Sequence, residues 1–252
     1  MAININDFFL FSGFMPKVSG DDYTKIEPLI NAVEAFARST HKYVYIIDCS
    51  KQEFLHVSEN MGYLCGVSAD RIKDLGYRFF LDYVPEADQQ MILEVNSKGF
   101  DLYNEIPLSG RMDYSMTYDF HIINGKRQRL VNHTLTPMSL TRDGHVWLAL
   151  CTLTLSANNL PGHIIMKIDG DNKYYEYSLA KHQWRSKNMI SLSEVEREIL
   201  ILSAQGYTMH DIGDRLCKSV DTIKGYKRNL FVKLGVRSIT GALSLAINYR
   251  LL

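Results

Sequence analysis

Cysteine is scarce in this chain, and its few cysteines lie far apart. The 252 residues include four cysteines, and no two of them form a Cys-x-x-Cys pair. This spacing does not match the usual zinc-binding motifs, and it gives no sign of the disulfide framework of small secreted proteins. We therefore expect reduced thiols that pack as small apolar groups.

Long hydrophobic runs and an excess of one charge are also lacking. The longest early apolar run, Phe8 to Met15, is too short to cross a bilayer, and it lacks the basic segment and cleavage site of a signal peptide. These features predict a cytoplasmic protein that does not contact a membrane. Basic and acidic residues number 28 each, so the formal net charge is zero and any basic surface is local.

The chain also lacks a recognisable catalytic or metal-binding pattern. The eight histidines never pair at metal-ligand spacing, and no serine or cysteine lies in a nucleophile-elbow context with a base. The sequence therefore predicts neither an enzyme nor a metal site, implies no cofactor, and leaves any cofactor-binding residues unknown. His121 and His133 could face each other across a hairpin, an arrangement that is more typical of a partly exposed pair than of a site.

The last sixty or so residues, by contrast, carry start and stop signals for closely spaced helices. Ser193 and Glu196 form a Ser-x-x-Glu capping box, in which each side chain accepts a hydrogen bond from the backbone N–H of the other residue. The predicted helices begin at Ser193, Thr208 and Ser219 and end near Gly206, Leu216 and Gly235. Because the second turn is so short, the second and third helices cross steeply and the third is presented outward.

The third helix combines an apolar side with a basic side. Its apolar positions fall at helical spacing and are Val220, Ile223, Leu230 and Leu234. From Lys218 to Arg237 there are six basic residues and one acid, Asp221. A capped helix with this charge can neutralise phosphates and pair with guanine edges in the major groove of DNA. A basic helix face is usually only a solvated surface, but here the turn geometry and the charge agree on DNA binding.

The segment from Ser219 to Val236 resembles the signature of LuxR-type helix-turn-helix domains, which has the form S-x-x-T-V-K-x-H-x-x-x-I-x-x-K-L-G-V. Leu192 to Gly206 is similar to the opening helix of the same family, and the whole match covers about a quarter of the chain. The resemblance implies a transcription regulator whose third helix enters the major groove and whose fourth helix often pairs two copies.

The same resemblance implies roles for individual residues. Those implied to face bases are Lys224, Gly225 and Arg228, and those implied to lie near phosphates are Thr222, Tyr226, Lys227 and Lys233. The chain departs from the family pattern at several positions. Gly225 has no side chain and costs a helix about 1 kcal/mol relative to alanine. Tyr226 replaces the common histidine, Asp211 the common glutamate and Ile239 the usual arginine. The sequence preference of the family is therefore not carried over.

The preceding part of the chain alternates strands with short helices. A helix from Glu86 to Ser97 is expected to stop at Gly99, and the dipeptide Asn124-Gly125 is a strong hairpin signal. The predicted strands are Tyr43–Ile47, Phe54–Val57, Met116–Ile123, Gln128–Ser139 and Val146–Ser156.

This order of elements resembles the PAS domain, a small sensor fold. Phe54 to Ser58 and Asn60 to Gly66 are similar to the second strand and first helix of the family, and Phe79 to Asp88 is similar to its Val-His-Pro-Asp-Asp segment. Another α+β sensor is the alternative. The resemblance implies a small apolar or aromatic ligand, or a partner, bound through the sheet and the helix after Pro85. The aromatic residues that could line such a pocket, or equally fill a core, are Tyr63, Tyr77, Phe79, Phe80, Tyr83, Tyr118, Phe120 and Trp147.

The expected fold class is α+β, in four segments. Residues 1–41 form an N-terminal extension, whose helix from Tyr23 to Ser39 either packs on the sheet or mediates dimerisation. Residues 42–156 form a PAS-like antiparallel sheet with short helices. Residues 157–190 form a hairpin and a linker, with the hinge at Ser186 to Ile190, and residues 191–252 form an all-α, four-helix helix-turn-helix domain.

Together these features predict a transcription regulator that binds specific double-stranded DNA under the control of its PAS-like domain. The alternative is a protein-interaction module whose helix-turn-helix is an assembly surface, although assembly would not require a basic helix. A homodimer is expected, because a single reader of this size makes few base contacts. Dimer contacts could come from the first helix near Ile30, from the PAS-like domain or from the final helix. The apolar stripe of that final helix, which could instead only close the core, is Leu243, Ala246, Ile247 and Leu251.

Overall fold

The computed structural model describes residues 3–8, 18–248 and 251–252. The chain divides into two compact units, Met1–Lys187 and Asn188–Leu252. Residues 9–15, which make up most of the early apolar run, lie outside the described residues.

The described residues of the N-terminal unit form short helices, one long helix and eight strands. Its helices are α1 (Gly20–Tyr23), α2 (Ile26–Thr40), α3 (Gly62–Cys65), α4 (Ala69–Leu75), α5 (Arg78–Tyr83) and α6 (Glu86–Glu105), with 3-10 turns at Ile5–Phe8, Glu59–Met61 and Leu108–Gly110. Its strands are β1 (Tyr43–Asp48), β2 (Glu53–Val57), β3 (Tyr114–Asn124), β4 (Arg127–Leu140), β5 (Val146–Leu155), β6 (Gly162–Ile168), β7 (Lys173–Ser178) and β8 (Gln183–Asn188).

The eight strands form one sheet in the order β2-β1-β5-β4-β3-β6-β7-β8. The elements follow one another in the predicted order: the first hairpin, the short helices, the long helix and the three-strand meander. Strands β1 to β5 pair antiparallel with their neighbours in the sheet. The turn between β3 and β4 falls at Gly125, which has φ +59°, and Asn124 pairs with Arg127 across it. The α+β class with a PAS-like sheet is therefore confirmed.

The main core lies on one face of the sheet, under α3 to α6. Successive side chains of a strand point to opposite faces, and in β3 the alternate residues Met116, Phe120 and Ile122 are at most 2% exposed. The buried side chains of these helices, such as Leu64 and Ile92, pack against the same face.

Helix α2 packs on the other face of the sheet. Val33 and Ala37 contact a second apolar cluster that includes Ile46 of β1 and Leu148 of β5. The helix starts three residues later than predicted, because Tyr23 ends a separate short helix and its hydroxyl donates to Asp48 Oδ2 at 2.6 Å. Within one chain, α2 therefore packs on the sheet. Its role in dimerisation stays a prediction.

The predicted stop of the long helix at Gly99 was wrong. Helix α6 runs through this residue to Glu105. A Cβ atom at Gly99 would lie 2.5 Å from the sulfur of Met116 on β3, so glycine allows the helix to approach the sheet closely. The contact joins residues distant in the sequence, and a local pattern could not distinguish it from a helix stop.

The two histidines of the β3–β4 hairpin do not face each other. His121 is opposite Leu130, and His133 is opposite Tyr118. His121 donates a hydrogen bond from Nδ1 to the Asp88 carboxylate at the start of α6 at 2.8 Å, whereas His133 is buried in the core. Pairing depends on a register that the hairpin turn determines.

Residues 157–190, expected to hold a hairpin and a linker, contain three strands. The expected hairpin is β6 and β7, which pair antiparallel. Strand β8 follows them at the edge of the same sheet and extends to Asn188, so the expected hinge from Ser186 begins inside a strand. The domain boundaries drawn from the sequence remain predictions.

From Glu194 to Asn248, the regular structure of the C-terminal unit is entirely helical. It comprises α7 (Glu194–Ala204), α8 (Met209–Arg215), α9 (Val220–Leu234) and α10 (Ile239–Asn248). The predicted capping box of Ser193 with Glu196 is formed, and Thr208 and Asp211 form a second box at the predicted start of α8. Gly235 ends α9 in the left-handed conformation at φ +68°. The four predicted helices are therefore confirmed.

Neither a single membrane-spanning helix nor a metal-ligand cluster is found in the described part of the chain. No helix there is long and apolar enough to span a bilayer alone; Val220–Leu234 and Ile239–Ile247 meet the length and composition test only as a pair bent by 54°. No group of three or more His, Cys, Asp or Glu side chains among these residues could hold a metal ion.

Candidate nucleic-acid interface and buried cavity

A close backbone contact sets the turn between α8 and α9. The Lys218 N–H donates to the Gly213 carbonyl oxygen at 2.8 Å, and Cys217 in the turn has φ +52°. A Cβ atom at Gly213 would lie 2.7 Å from the Lys218 carbonyl oxygen, so the turn closes on glycine. Ser219 then caps α9, because its Oγ accepts from the Thr222 N–H at 3.2 Å.

The apolar side of α9 anchors it in the unit and leaves the basic side to solvent. Ile223 and Leu230 are fully buried, and Leu234 is 6% exposed. Among the predicted contact residues, those that are exposed are Thr222, Lys224, Arg228 and Lys233, and those that are half-buried are Gly225, Tyr226 and Lys227. Their roles toward DNA stay predictions.

Three of the predicted cations line one open groove. They are Lys224, Lys227 and Arg228, and the groove also includes Arg237 beyond the end of the helix and an apolar wall at Phe231. Sequence reasoning counted Arg237 among the basic residues but assigned it no contact. It follows the glycine that ends α9, so helical periodicity could not place it.

Two of the predicted contact lysines form ion pairs in the free protein. Lys224 Nζ lies 3.0 Å from Asp221 Oδ1 on the preceding turn, and Lys233 Nζ lies 2.7 Å from Glu196 Oε2 on α7. Burial raises the pKa of Glu196, but hydrogen bonds from Lys233 and Ser193 outweigh it and hold the pKa below its usual value. A phosphate would therefore compete with Glu196 for Lys233.

The helical unit matches a known family. The family described as bacterial regulatory proteins, luxR family, matches residues 190–246. The C-terminal unit is a LuxR-family domain. The chain is also 40% identical over 65 residues to the transcriptional activator protein BglJ of Escherichia coli strain K12, a match that covers 26% of this chain and 29% of BglJ. The similarity thus spans less than a third of that relative.

Solved structures with a distant likeness include LuxR-type receptors. A VqmA dimer of Vibrio cholerae without its target DNA is 16% identical, with 88% of each chain covered and a TM-score of 0.33. VqmA bound to DPO is 16% identical, with 86% of each chain covered and a TM-score of 0.32. TM-scores this low establish neither a shared fold nor a shared ligand.

A cavity of about 100 Å³ lies between the sheet and α6 in the N-terminal unit. Its wall is mainly aromatic and aliphatic, with a few polar groups from Asn96, Asn104, His133 and His145. A concave apolar site with a few convergent polar groups is the usual form of a small-molecule site.

His133 is the most buried polar group of this cavity. Its Nε2 lies 2.8 Å from the Tyr45 hydroxyl, and its Nδ1 has no hydrogen-bond partner among the described residues. Burial lowers the pKa of His133 to about 3, so the ring is neutral near pH 7. A neutral imidazole that is unsatisfied at one nitrogen can donate to or accept from a small ligand.

The predicted aromatic residues divide between pocket and core. Tyr77, Phe80 and Tyr118 line the cavity, whereas Phe79 and Phe120 are buried in the core without lining it. The other three lie elsewhere: Tyr63 is 79% exposed, Tyr83 stacks on Phe79, and Trp147 packs on the outer face near α2. The aromatic wall residues that sequence reasoning missed are Phe8, Tyr45, Phe100, Tyr103 and Tyr114. Strand alternation places Tyr45 and Tyr114 inward, but the pattern does not show which inward residues border a void.

The hairpin formed by β7 and β8 is hydrogen-bonded to the side of α6. Glu94 Oε1 accepts from the Tyr177 hydroxyl at 2.7 Å and lies 2.6 Å from His182 Nδ1. The indole N–H of Trp184 on β8 donates to the Lys98 carbonyl oxygen at 2.9 Å. The helix that lines the cavity is therefore tied to the strand that leads into the C-terminal unit.

Proposed function

We propose that the chain is a one-component transcription regulator that acts in the cytoplasm. Its C-terminal unit binds specific double-stranded DNA, and its N-terminal unit senses a small molecule. The observation that carries this proposal is the convergence of Lys224, Lys227 and Arg228 in one groove on the outward side of α9. The LuxR-family match over residues 190–246 supports it independently.

The proposed DNA complex places α9 in the major groove. Lys224 and Arg228 contact base edges there, and Lys227 neutralises a phosphate. Thr222, Tyr226 and Lys233 contact phosphates beside the groove, and Lys233 exchanges its Glu196 partner for a phosphate when it does so.

The proposed ligand is small and uncharged, with apolar or aromatic character and one or two polar groups. A cavity of about 100 Å³ limits its size. The charged form of a ligand would be disfavoured, since burial in an apolar site penalises charge. His133 provides the polar contact through Nδ1.

The proposed route of control runs through α6. A ligand in the cavity would shift α6, and the contacts of Glu94 and Lys98 would transmit the shift to β7 and β8. The ligand changes DNA affinity only by binding the two arrangements differently.

The proposed assembly is a homodimer. In α10, Ala246 is fully buried and Leu251 beyond its end is 7% exposed, so both close the core of the unit. Ile247 is 65% exposed, and Leu243 is half-buried. These two side chains are available to pair with a second copy.

The experiment that tests the function is DNA binding by the full-length protein. A duplex is first selected from a random library, and its affinity is compared with that of a scrambled duplex across a salt series. We expect preference for the selected duplex and a steep loss of affinity with salt. If the protein binds neither duplex, or binds both equally weakly with little dependence on salt, the DNA-binding proposal is wrong. The alternative of a protein-interaction module would then remain.

A further inference from the structure

Gly225 differs from the glycines in the interiors of α6 and α8. At Gly99 an added Cβ atom would lie 2.5 Å from the Met116 sulfur, and at Gly213 it would lie 2.7 Å from the Lys218 carbonyl oxygen. These two glycines are needed for close packing. At Gly225 the added Cβ atom would meet nothing within 4 Å among the described residues. Packing inside the protein therefore does not require glycine at this position.

The backbone does not require glycine at position 225 either. The residue lies in the interior of α9, whose backbone is helical from Val220 to Leu234. Glycine in a helix interior lowers the folding equilibrium constant by roughly fivefold relative to alanine. Neither the packing nor the backbone of the free protein accounts for glycine at this position, whereas contact with a bound partner would.

The missing side chain leaves a notch on the face of α9 that points to solvent. Residues three and four positions away border it on a helix, and they are Asp221, Thr222, Arg228 and Asn229, all exposed. The N–H of a residue inside a helix is already bonded to a carbonyl oxygen one turn earlier. The floor of the notch is therefore an apolar Cα surface without a free donor.

We infer that the notch at Gly225 receives the 5-methyl group of a thymine and makes this glycine a specificity-determining residue. The inference rests on the proposed DNA-binding function. Within the major groove, the thymine methyl is the one apolar group that projects from a base edge. A phosphate would need a donor, which the notch floor lacks. Arg228 on the rim can bond a neighbouring guanine, so the notch and the guanidinium together distinguish adjacent base pairs.

The test exchanges each thymine of the selected duplex for uracil, which removes one methyl group and leaves base pairing intact. The full-length protein and its Gly225→Ala variant are each titrated with every duplex. At one position per half-site, uracil should weaken the unchanged protein about fourfold, the effect of one buried methyl group. Gly225→Ala should bind the thymine duplex at least about fourfold more weakly, since its methyl fills the notch. It should not distinguish thymine from uracil at that position.

Stability provides the control for folding. Gly225→Ala should denature at a higher urea concentration than the unchanged protein, so a loss of affinity cannot result from unfolding. If Gly225→Ala binds the thymine duplex as tightly as the unchanged protein and responds equally to uracil, the inference is wrong while the DNA-binding proposal stands. If the unchanged protein prefers no duplex over a scrambled one, both are wrong.

Discussion

Gly213→Ala should destabilise the C-terminal unit, because the new methyl group collides with backbone rather than with a movable side chain. The added Cβ atom would lie 2.7 Å from the Lys218 carbonyl oxygen, in the turn that the Lys218 N–H closes on Gly213 at 2.8 Å. Overpacking of this kind costs about 1–3 kcal/mol, and the better helix propensity of alanine offsets about 1 kcal/mol. The difference is about 0–2 kcal/mol. We expect a value in the upper half of this range, because the carbonyl cannot move without breaking the turn.

Urea denaturation of the full-length protein measures this effect. Both tryptophans, Trp147 and Trp184, lie in the N-terminal unit, so tryptophan fluorescence reports that unit while far-ultraviolet circular dichroism also reports the helical one. Gly213→Ala should lower the midpoint seen by dichroism and leave the fluorescence midpoint unchanged. The matched control is Gly225→Ala, the same substitution without a clash, which should raise the dichroism midpoint. Equal shifts for the two variants would refute the packing argument for the turn.

Three further predictions concern charge and coupling. The folded-state pKa of Glu196 is lowered. Its carboxylate therefore stabilises the fold above its unfolded-state pKa, and this stabilisation is lost as pH falls through the folded-state pKa. The free energy of unfolding should depend less on acidic pH in Glu196→Gln, and an unchanged pH profile would contradict this. Arg228→Ala should reduce sequence specificity and cost about 1–3 kcal/mol of binding free energy, whereas Lys227→Ala should lower the affinity for all duplexes about equally. Binding to selected and scrambled duplexes distinguishes the two variants. An equal loss for both duplexes in both variants would show that Arg228 does not read bases. Glu94→Gln should weaken the ties to Tyr177 and His182 by about 1–2 kcal/mol in total, and faster hydrogen exchange in β7 and β8 is expected; unchanged exchange would show that the hairpin does not depend on this carboxylate.

The C-terminal unit was predictable because its signals are local. A capping box joins a side chain to backbone three residues away, so Ser193 with Glu196 and Thr208 with Asp211 can be recognised from spacing alone. The left-handed stop at Gly235 is likewise a property of one residue. The hairpin signalled by Asn124-Gly125 is also local, although its two turn residues are Gly125 and Lys126, because Asn124 is the last residue of β3 and pairs with Arg127.

The N-terminal unit was predictable in its order of elements but not in its long-range contacts. Gly99 has the appearance of a helix stop, and only its approach to Met116 shows that it lies inside α6. Strand β8 has no alternating apolar pattern, since five of its six residues are exposed. Its remaining residue, Trp184, packs against the ring of Tyr177 on β7 and donates a hydrogen bond to Lys98 of α6.

The sequence by itself determined the helix caps, the turn residues, the basic side of α9 and the alternation of the strands. All of these depend on contacts within a few residues or on periodicity. Only the tertiary structure decided which inward-facing aromatic residues border a void, that His133 is buried beside Tyr45, and that Lys233 is paired with Glu196. These features join residues 37 to 88 positions apart, and such contacts depend on how whole elements pack rather than on the residues beside them in the chain.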